Sequence, residues 1–383
     1  MKRRDLLKLG VLAAGAGLAS NYAIGDVTNS SDFVINKSDK YVFSVPMPYD
    51  YELIDKLSEI NSNYKKFTIK SLYNNLPMPL SKFFNEEFQN CKAYSENVRN
   101  EKDFIEYVTY AQDKGFHFVY VLNSPKPFSD DTYKKHKKHL KFLFKILKDA
   151  GITEIKVANT QLMEIISEET DFDLSASTSF EYHNVSQYKH LLNSYKRIKR
   201  INIAIDDNRN FLFLKNLRKS FPHTDIEIMV NETCIHGCPA RISHAAAFCK
   251  IWDCYGLRNK MGDIEYFFKS NVIYPWQLEA YKNIGINNFK IFGFRHQLSS
   301  LKFMQGYIDC VENGTANFTA SDFFNKIFPV YIDLKNNPKL KDIISYMPNI
   351  NHFVKYGDRC ANICDIDCTY CLKCAKKLRE ILL

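Results

Sequence analysis

Eight short β-rich runs recur along the sequence, and each is followed by a connection long enough to contain a helix. The predicted strands are residues 41–46, 66–72, 117–122, 154–158, 173–177, 200–205, 225–230 and 288–292. Strands that alternate with helices form parallel sheets, and eight such units match a (β/α)8 barrel in count and in length. The sequence therefore predicts an α/β fold, a TIM-barrel-like domain with a cysteine-rich C-terminal extension.

Amphipathic helices occupy several of these connections. The clearest are residues 103–114, 135–149, 184–194 and 208–220, where apolar side chains recur three and four positions apart. The chain has 383 residues, 45% of them hydrophobic, so it can bury a full core and is not of a disordered class. Two basic runs, 134–139 and 196–200, could contact RNA or another polyanion. A solvated helix face is the favoured interpretation, so nucleic acid is not an expected partner.

The N-terminus has the pattern of an export signal. Arg3 and Arg4 precede the apolar run 9–19, which is too short and too rich in glycine to span a bilayer. Paired arginines before such a run are typical of the bacterial twin-arginine signal, whose substrates are exported folded. We expect a signal over 1–24, a linker over 25–40, the barrel over 41–325 and the extension over 326–383. The expected location is the periplasm or the outer face of the inner membrane; the alternative is a cytoplasmic protein with an N-terminal anchor segment.

Nine of the eleven cysteines fall into two dense groups. The first group is Cys234, Cys238, Cys249 and Cys254, and the second is Cys360, Cys364, Cys368, Cys371 and Cys374. Cys91 and Cys310 stand alone. We expect Cys91 to be a small buried apolar residue, whereas Cys310 could approach the groups in space.

Three chemistries compete for the two groups. Disulfides suit an exported chain, but five cysteines within fifteen residues make a poor disulfide framework for a well-cored domain. Zinc and iron–sulfur clusters both take about four thiolates at such spacings. Export in the folded state favours a labile iron–sulfur cluster that is inserted before export. We therefore expect one cluster or two, with zinc as the alternative.

Polar residues follow six of the predicted strands: Asn123, Asn159, Ser177-Thr178, residues 206–209, residues 231–234 and residues 293–296. Each one alone is more often a helix cap or a turn former. The C-terminal ends of barrel strands build the active site, so six such ends on one face predict a site there. Cys234 and Cys238 directly follow the seventh strand, which puts the expected metal at the same face.

The segment 230–244, VNETCIHGCPARISH, resembles the signature of the collagenase-like peptidase family, peptidase family U32. Other segments that fit this family, in order, are residues 115–123, 155–159, 175–177, 206–209, 273–276 and 289–295. The resemblance covers about residues 41–320, and the terminal cysteine group is similar to the cysteine-rich tail of some members. It implies a barrel with a four-iron cluster (4Fe-4S) held by four cysteines. Several members are oxygen-independent hydroxylases that act on tRNA, ribosomal RNA or quinone precursors.

Redox chemistry on a small or quinone-like substrate is therefore the favoured function, with an electron donor or acceptor protein, the export machinery and a hetero-oligomer as partners. Cys234, Cys238 and Cys254 are the best ligand candidates, with Cys249 as the fourth. Candidates for proton transfer and anion binding are Glu232, His236, His244, Asp206, Arg209, Arg295 and His296. His236 lies between two ligands and could instead orient them.

Hydrolysis is the first alternative. The sequence has neither an HExxH segment nor a GxSxG elbow, so a peptidase would need a cysteine nucleophile with His236 or His244. The second alternative is a cluster-bearing electron carrier or maturation protein without a catalytic pocket.

Overall fold

Eight parallel strands close into a barrel in the computed structural model, which describes residues 40–78, 93–126, 129–232, 234, 236–238, 241, 271–292 and 297–314. Elements are numbered in chain order within these residues. The barrel strands are β1 (Tyr41–Pro46), β2 (Phe67–Asn74), β5 (His117–Leu122), β6 (Glu154–Val157), β7 (Asp173–Ala176), β8 (Ile198–Asn202), β9 (Asp225–Met229) and β10 (Asn288–Lys290). Their order around the barrel is β1-β10-β9-β8-β7-β6-β5-β2, and every neighbouring pair is parallel. The predicted TIM-barrel fold is confirmed.

All eight predicted strands are present, and their ends shift by a few residues. The largest shift is in β8, which runs from Ile198 to Asn202 instead of over 200–205. It ends early because Ile205–Asp207 form a short 3₁₀ helix. A two-stranded sheet, β3 (Pro77–Met78) with β4 (Ala93–Tyr94), was not predicted, since two residues are too few to show a period.

Eight helices lie in the connections that the structure describes. They are α1 (Tyr51–Asn63), α2 (Glu101–Asp113), α3 (Asp130–Asp149), α4 (Thr160–Glu169), α5 (Val185–Ser194), α6 (Phe211–Ser220), α7 (Leu278–Asn283) and α8 (Gln297–Asn313). Helices α1 to α6 begin at a side-chain cap, in which an Asp, Asn or Ser oxygen accepts a hydrogen bond from a first-turn N–H. No described helix is both long and apolar enough to cross a bilayer.

The two faces of the barrel wall differ in chemistry. The outer face packs on the helices through a large apolar cluster, which includes Phe43, Ile69, Leu122, Ile155 and Ile228. Barrel interiors are usually filled by layers of branched apolar side chains. Here the interior holds a small apolar group, Tyr73, Val119 and Val121, surrounded by buried polar and charged residues.

Strand register and contacts assign the interior side chains to three layers. The lower layer contains Ser71, Glu154 and Arg200. The middle layer contains Ser44, Val119, Ser175 and Glu227. The upper layer, which lies toward the C-terminal ends of the strands, contains Tyr73, Lys156, Asn202 and Lys290.

Glu227 connects these layers. One carboxylate oxygen accepts hydrogen bonds from Ser44 and from Arg200 Nη1 at 3.0 Å. The other accepts from Lys156 Nζ at 2.8 Å and from the Asn202 amide. Burial alone would raise the pKa of Glu227, but the positive charges of Lys156 and Arg200 hold it far below its usual range.

Candidate functional site

Asp206 is the centre of a polar group at the mouth of the barrel. It follows β8, and its Oδ1 lies 2.6 Å from Arg241 Nη2. The same oxygen accepts hydrogen bonds from the Gly237 N–H and from Asn271 Nδ2, both at 3.1 Å. His236 Nδ1 lies 3.5 Å from it. Burial acts to raise the pKa of Asp206, but Arg241, the Gly237 N–H and His236 lower it, so the carboxylate is charged.

The chain after β9 folds into a turn around this carboxylate. Gly237 has φ +69°, a conformation that is inexpensive only for glycine, and it places its N–H on Asp206. The Cys234 N–H donates to Glu232 Oε1 at 2.9 Å. The Cys234 carbonyl accepts from the Asn271 N–H at 2.9 Å and from Asn271 Nδ2 at 3.0 Å. Asp206 and Asn271 therefore fix the backbone that carries both cysteines.

The two thiols of this turn are partly exposed. Burial is the largest cause that raises the pKa of Cys234, to about 12; Glu232 and the neighbouring Cys238 raise it further. The Arg241 guanidinium, which hydrogen-bonds the Cys234 sulfur, lowers it. The raised pKa favours the protonated thiol of Cys234 over the free thiolate at neutral pH.

A second polar group adjoins the first. His183 Nδ1 lies 2.8 Å from Asp207 Oδ2, and His183 Nε2 lies 3.7 Å from Glu181 Oε2. Glu181 has a left-handed backbone with φ +49°. Burial raises the pKa of its carboxyl, although Arg241 and His183 act to lower it. The mouth thus brings the carboxylates of Glu181 and Asp206, from the loops after β7 and β8, close to Arg241.

The predicted site residues are only partly brought together. Asp206, His236, Cys234 and Cys238 are in one group, and Glu232 binds its backbone. Arg209 instead donates to the Val272 carbonyl, which holds the segment before α7. Asn159 caps α4 through the Leu162 N–H, and Ser177 caps a 3₁₀ helix, so these two strand ends have the structural role that was weighed against a functional one.

Several predicted features lie outside the described residues. They are the signal 1–24, nearly all of the linker 25–40, the extension 326–383, Cys91, Cys249, Cys254, Cys360, Cys364, Cys368, Cys371, Cys374, His244, Arg295 and His296. Among the residues that are described, no three His, Cys, Asp or Glu side chains are placed to hold a metal ion.

Cys310 is buried in α8, far from the mouth. Its charge would act on Tyr41, the first residue of β1, and Glu312, two residues later, accepts hydrogen bonds from the N–H groups of Lys66 and Phe67 at the start of β2. Burial raises the pKa of the Cys310 thiol to about 12. It therefore belongs to the N-terminal end of the barrel, opposite the cysteine turn.

Sequence reasoning missed Arg241, Asn271 and the charged interior. Arg241 stands seven residues after Cys234, inside the segment that carries the family resemblance, but its contact with Asp206 exists only once the turn has folded. Lys156 and Glu227 alternate with apolar residues in their strands, a pattern that also suits solvent-facing side chains.

Comparison with known proteins gives one sequence relative and several barrel structures. No family model matches the chain. A protein of Methanocaldococcus jannaschii described as an uncharacterized protease is 22% identical over 363 residues, 89% of this chain and 99% of that protein. This match supports the resemblance to peptidase family U32.

The similar solved structures have low identity. A U32 peptidase aligns over 70% of this chain and 98% of its own at 12% identity, with a TM-score of 0.42. A D-psicose 3-epimerase of Clostridium cellulolyticum H10 aligns over 80% and 98% at 11% identity, with a TM-score of 0.36.

Proposed function

We propose that this chain is a U32-type barrel protein that holds an iron–sulfur cluster at the barrel mouth and performs redox chemistry there, with oxygen-independent hydroxylation as the favoured class. The observation that carries the proposal is the turn at the C-terminal face of the barrel, which holds two partly exposed thiols, Cys234 and Cys238, and sets the Cys234 sulfur against the Arg241 guanidinium. Barrel enzymes build their active sites on that face.

The residues present fit part of a cluster site. Two sulfurs four positions apart, on a turn made possible by Gly237, supply two of the four thiolates that such a cluster needs. Cys249 and Cys254 are proposed as the others. When bound, the cluster would exchange electrons with the substrate or bind it at an open iron.

The chain's own side chains have defined tasks around that position. Arg241 bridges the Asp206 carboxylate and the Cys234 sulfur, so it holds the turn and offsets the negative charge of the thiolates. His236 lies beside this pair, with its Nδ1 3.5 Å from Asp206 Oδ1, and imidazole is the side chain best suited to proton transfer near neutral pH. His236 is thus the proposed proton acceptor.

A peptidase is the alternative that the relative's description suggests. A nucleophilic cysteine needs a lowered thiol pKa, whereas burial raises the pKa of Cys234 to about 12. His236 lies next to Asp206. Among the described contacts, it makes no hydrogen bond to the sulfur of Cys234 or of Cys238, as the base of a cysteine nucleophile would. This environment does not favour hydrolysis through Cys234.

The deciding experiment measures iron and sulfide in full-length protein purified without oxygen. We expect a brown protein with about four iron atoms per cluster. Cys238→Ser should lose the iron of the mouth, whereas the matched control Cys310→Ala, at the other end of the barrel, should keep it. A colourless protein with stoichiometric zinc, or unchanged iron in Cys238→Ser, would contradict the proposal.

Two further proposals extend it. A second cluster in the group from Cys360 to Cys374 predicts that removal of residues 355–383 lowers the iron content without emptying the mouth. Folded export predicts that changing Arg3 and Arg4 to lysine retains the protein in the cytoplasm; normal periplasmic accumulation of that variant would contradict it.

A further inference from the structure

The upper interior layer of the barrel forms the floor below the cysteine turn. It consists of Tyr73, Lys156, Asn202 and Lys290, which stand at or next to the last residue of their strands. Both ammonium groups lie over the Tyr73 ring, Lys290 Nζ at 4.0 Å and Lys156 Nζ at 5.9 Å from its centre. A position at the top of the strands is where barrel enzymes contact their substrates.

This floor has hydrogen-bonding capacity that the described contacts leave unused. The Lys156 ammonium has three donors, and its hydrogen bond within the described chain is to Glu227 Oε2 at 2.8 Å. Asn202 uses its NH₂ group on Glu227, while its Oδ1 has no hydrogen-bond partner among the residues that the structure describes. Ser175, of the middle layer just below, stands on the strand next to Lys156 and in register with it, and its Oγ likewise has no partner within the described part of the chain.

These unused atoms are fully buried, with exposures of 1% for Lys156, 1% for Asn202 and 0% for Ser175. Buried polar atoms are nearly always hydrogen-bonded, and each exception requires an explanation. Contacts within the described residues leave the Asn202 carbonyl and the Ser175 hydroxyl unsatisfied beside the ion pair of Lys156 and Glu227.

We propose that this floor binds a substrate group that carries an anionic oxygen next to a hydroxyl or amine donor. The anionic oxygen accepts hydrogen bonds from Lys156 and from the Ser175 hydroxyl, and the donor binds Asn202 Oδ1. Such a group engages the spare Lys156 donors and both unpartnered oxygen atoms, Ser175 Oγ and Asn202 Oδ1, at once, which a lone carboxylate or a lone cation does not. The proposal rests on the proposed function only in taking the mouth as the active site, and it assigns the chemical class of what enters it.

Glycolate is the smallest probe of this class, since it has a carboxylate beside a hydroxyl, and acetate is the matched probe that lacks the donor. Calorimetric titration of the full-length protein should show glycolate binding about tenfold more tightly than acetate, the ratio expected from one buried hydrogen bond of about 1.4 kcal/mol. In Asn202→Leu the two affinities should become equal. Lys156→Met should lose both, and Ser175→Ala should weaken both about equally.

Controls separate this proposal from its alternatives. The exposed variant Lys199→Met should bind both probes as the parent does, and thermal unfolding identifies any variant that fails to fold. Ser175→Ala removes a hydroxyl that makes no hydrogen bond within the described structure, so it keeps the test valid if Asn202→Leu or Lys156→Met is unstable. Glycolate binding that persists in an iron-free Cys238→Ser protein supports the floor even if the cluster proposal fails.

Two results would overturn the assignment. One is a crystal structure in which an internal water alone bridges Lys156, Ser175 and Asn202 and glycolate does not displace it. The other is an unchanged ratio of glycolate to acetate affinity in Asn202→Leu.

Discussion

Two carboxylates in this barrel each bind an arginine, Glu227 inside the barrel and Asp206 at its mouth. Glu227 is 1% exposed, and its partners Ser44, Lys156, Arg200 and Asn202 all stand on barrel strands. The Asp206 side chain is 21% exposed, and its partners Arg241, Gly237 and Asn271 belong to the loop after β9 or to the segment before α7.

Glu227 connects strands of the barrel to one another, whereas Asp206 holds a loop at the mouth of the barrel. The interior network is fixed by strand register, so removing one of its charged side chains leaves the others buried inside the barrel without a partner. The mouth network holds a loop that carries two cysteines, so a change there mainly affects how firmly that loop is held. Interior substitutions should therefore act on global stability, and mouth substitutions on the cysteine site.

The largest expected effect is that of Glu227→Gln. The substitution leaves Lys156 and Arg200 buried without their shared negative charge, and removal of one partner from a buried ion pair costs about 3–5 kcal/mol. Urea unfolding followed by circular dichroism measures the loss. The control is Asp173→Asn, whose exposed partner Lys199 lies at 3.9 Å; it should change the free energy of unfolding by less than about 0.5 kcal/mol. Equal effects of the two variants would break the comparison.

The free energy of unfolding should also depend on pH through Glu227. Folding lowers the pKa of Glu227 against the effect of its burial, so its contribution is complete above the unfolded glutamate pKa of about 4.3 and is lost as the pH falls through the lower folded value. One such group contributes up to about 1.4 kcal/mol per pH unit in that window. Urea titrations between pH 3 and pH 7 should show a shallower decline for Glu227→Gln. Some loss of stability with falling pH should remain in Glu227→Gln, because Glu154 and Asp206 also have lowered pKa values. If the free energy of unfolding fell equally steeply in the parent and the variant, the stabilising role of the Glu227 charge would be contradicted.

Most of the barrel was predictable from the sequence because its strands and helices differ in period and alternate eight times. The charged side chains of the interior were not predictable. Polar residues that alternate with apolar ones in a strand usually face solvent, but closure of the barrel buries that face here. Parallel strands buried on both faces usually form near-continuous apolar runs, and Lys156 and Glu227 depart from that rule.

Sequence reasoning was only partly successful for the mouth. Cys234 and Cys238 were found from spacing, and Asp206 from its position after a strand. The pairing of Asp206 with Arg241 and Asn271 depends on loops distant in sequence, which no local pattern encodes. The N-cap roles of Asn159 and Ser177 also required the structure, since caps and site residues use the same side chains.

A smaller effect on stability is expected for Asp206→Asn. The amide keeps the shape but loses the charge that binds Arg241 and the Gly237 N–H, at a cost of about 1–2 kcal/mol. The iron content of protein purified without oxygen should fall more than global stability does, because the loop and not the barrel is loosened. Asp207→Asn is the matched control, since Asp207 binds His183 instead of the cysteine turn. If Asp206→Asn failed to fold, Asp206 would support the whole barrel as Glu227 does, and not the loop alone. If both variants lost iron equally, the specific link between Asp206 and the cysteine turn would be contradicted.

The smallest effect is expected for Ser175→Ala, inside the barrel. Ser175 is fully buried among charged neighbours, yet its hydroxyl has no partner among the described residues, so its removal breaks none of the described hydrogen bonds. The free energy of unfolding should therefore stay within about 0.5 kcal/mol of the parent value or rise slightly, since an unsatisfied buried hydroxyl is itself unfavourable. Urea unfolding of the ligand-free protein measures this. A loss of about 1–2 kcal/mol would instead mean that a tightly held internal water completes the network. Ser175 would then contribute to the stability of the barrel as Glu227 does, and the floor would have fewer unused hydrogen-bonding atoms for a substrate.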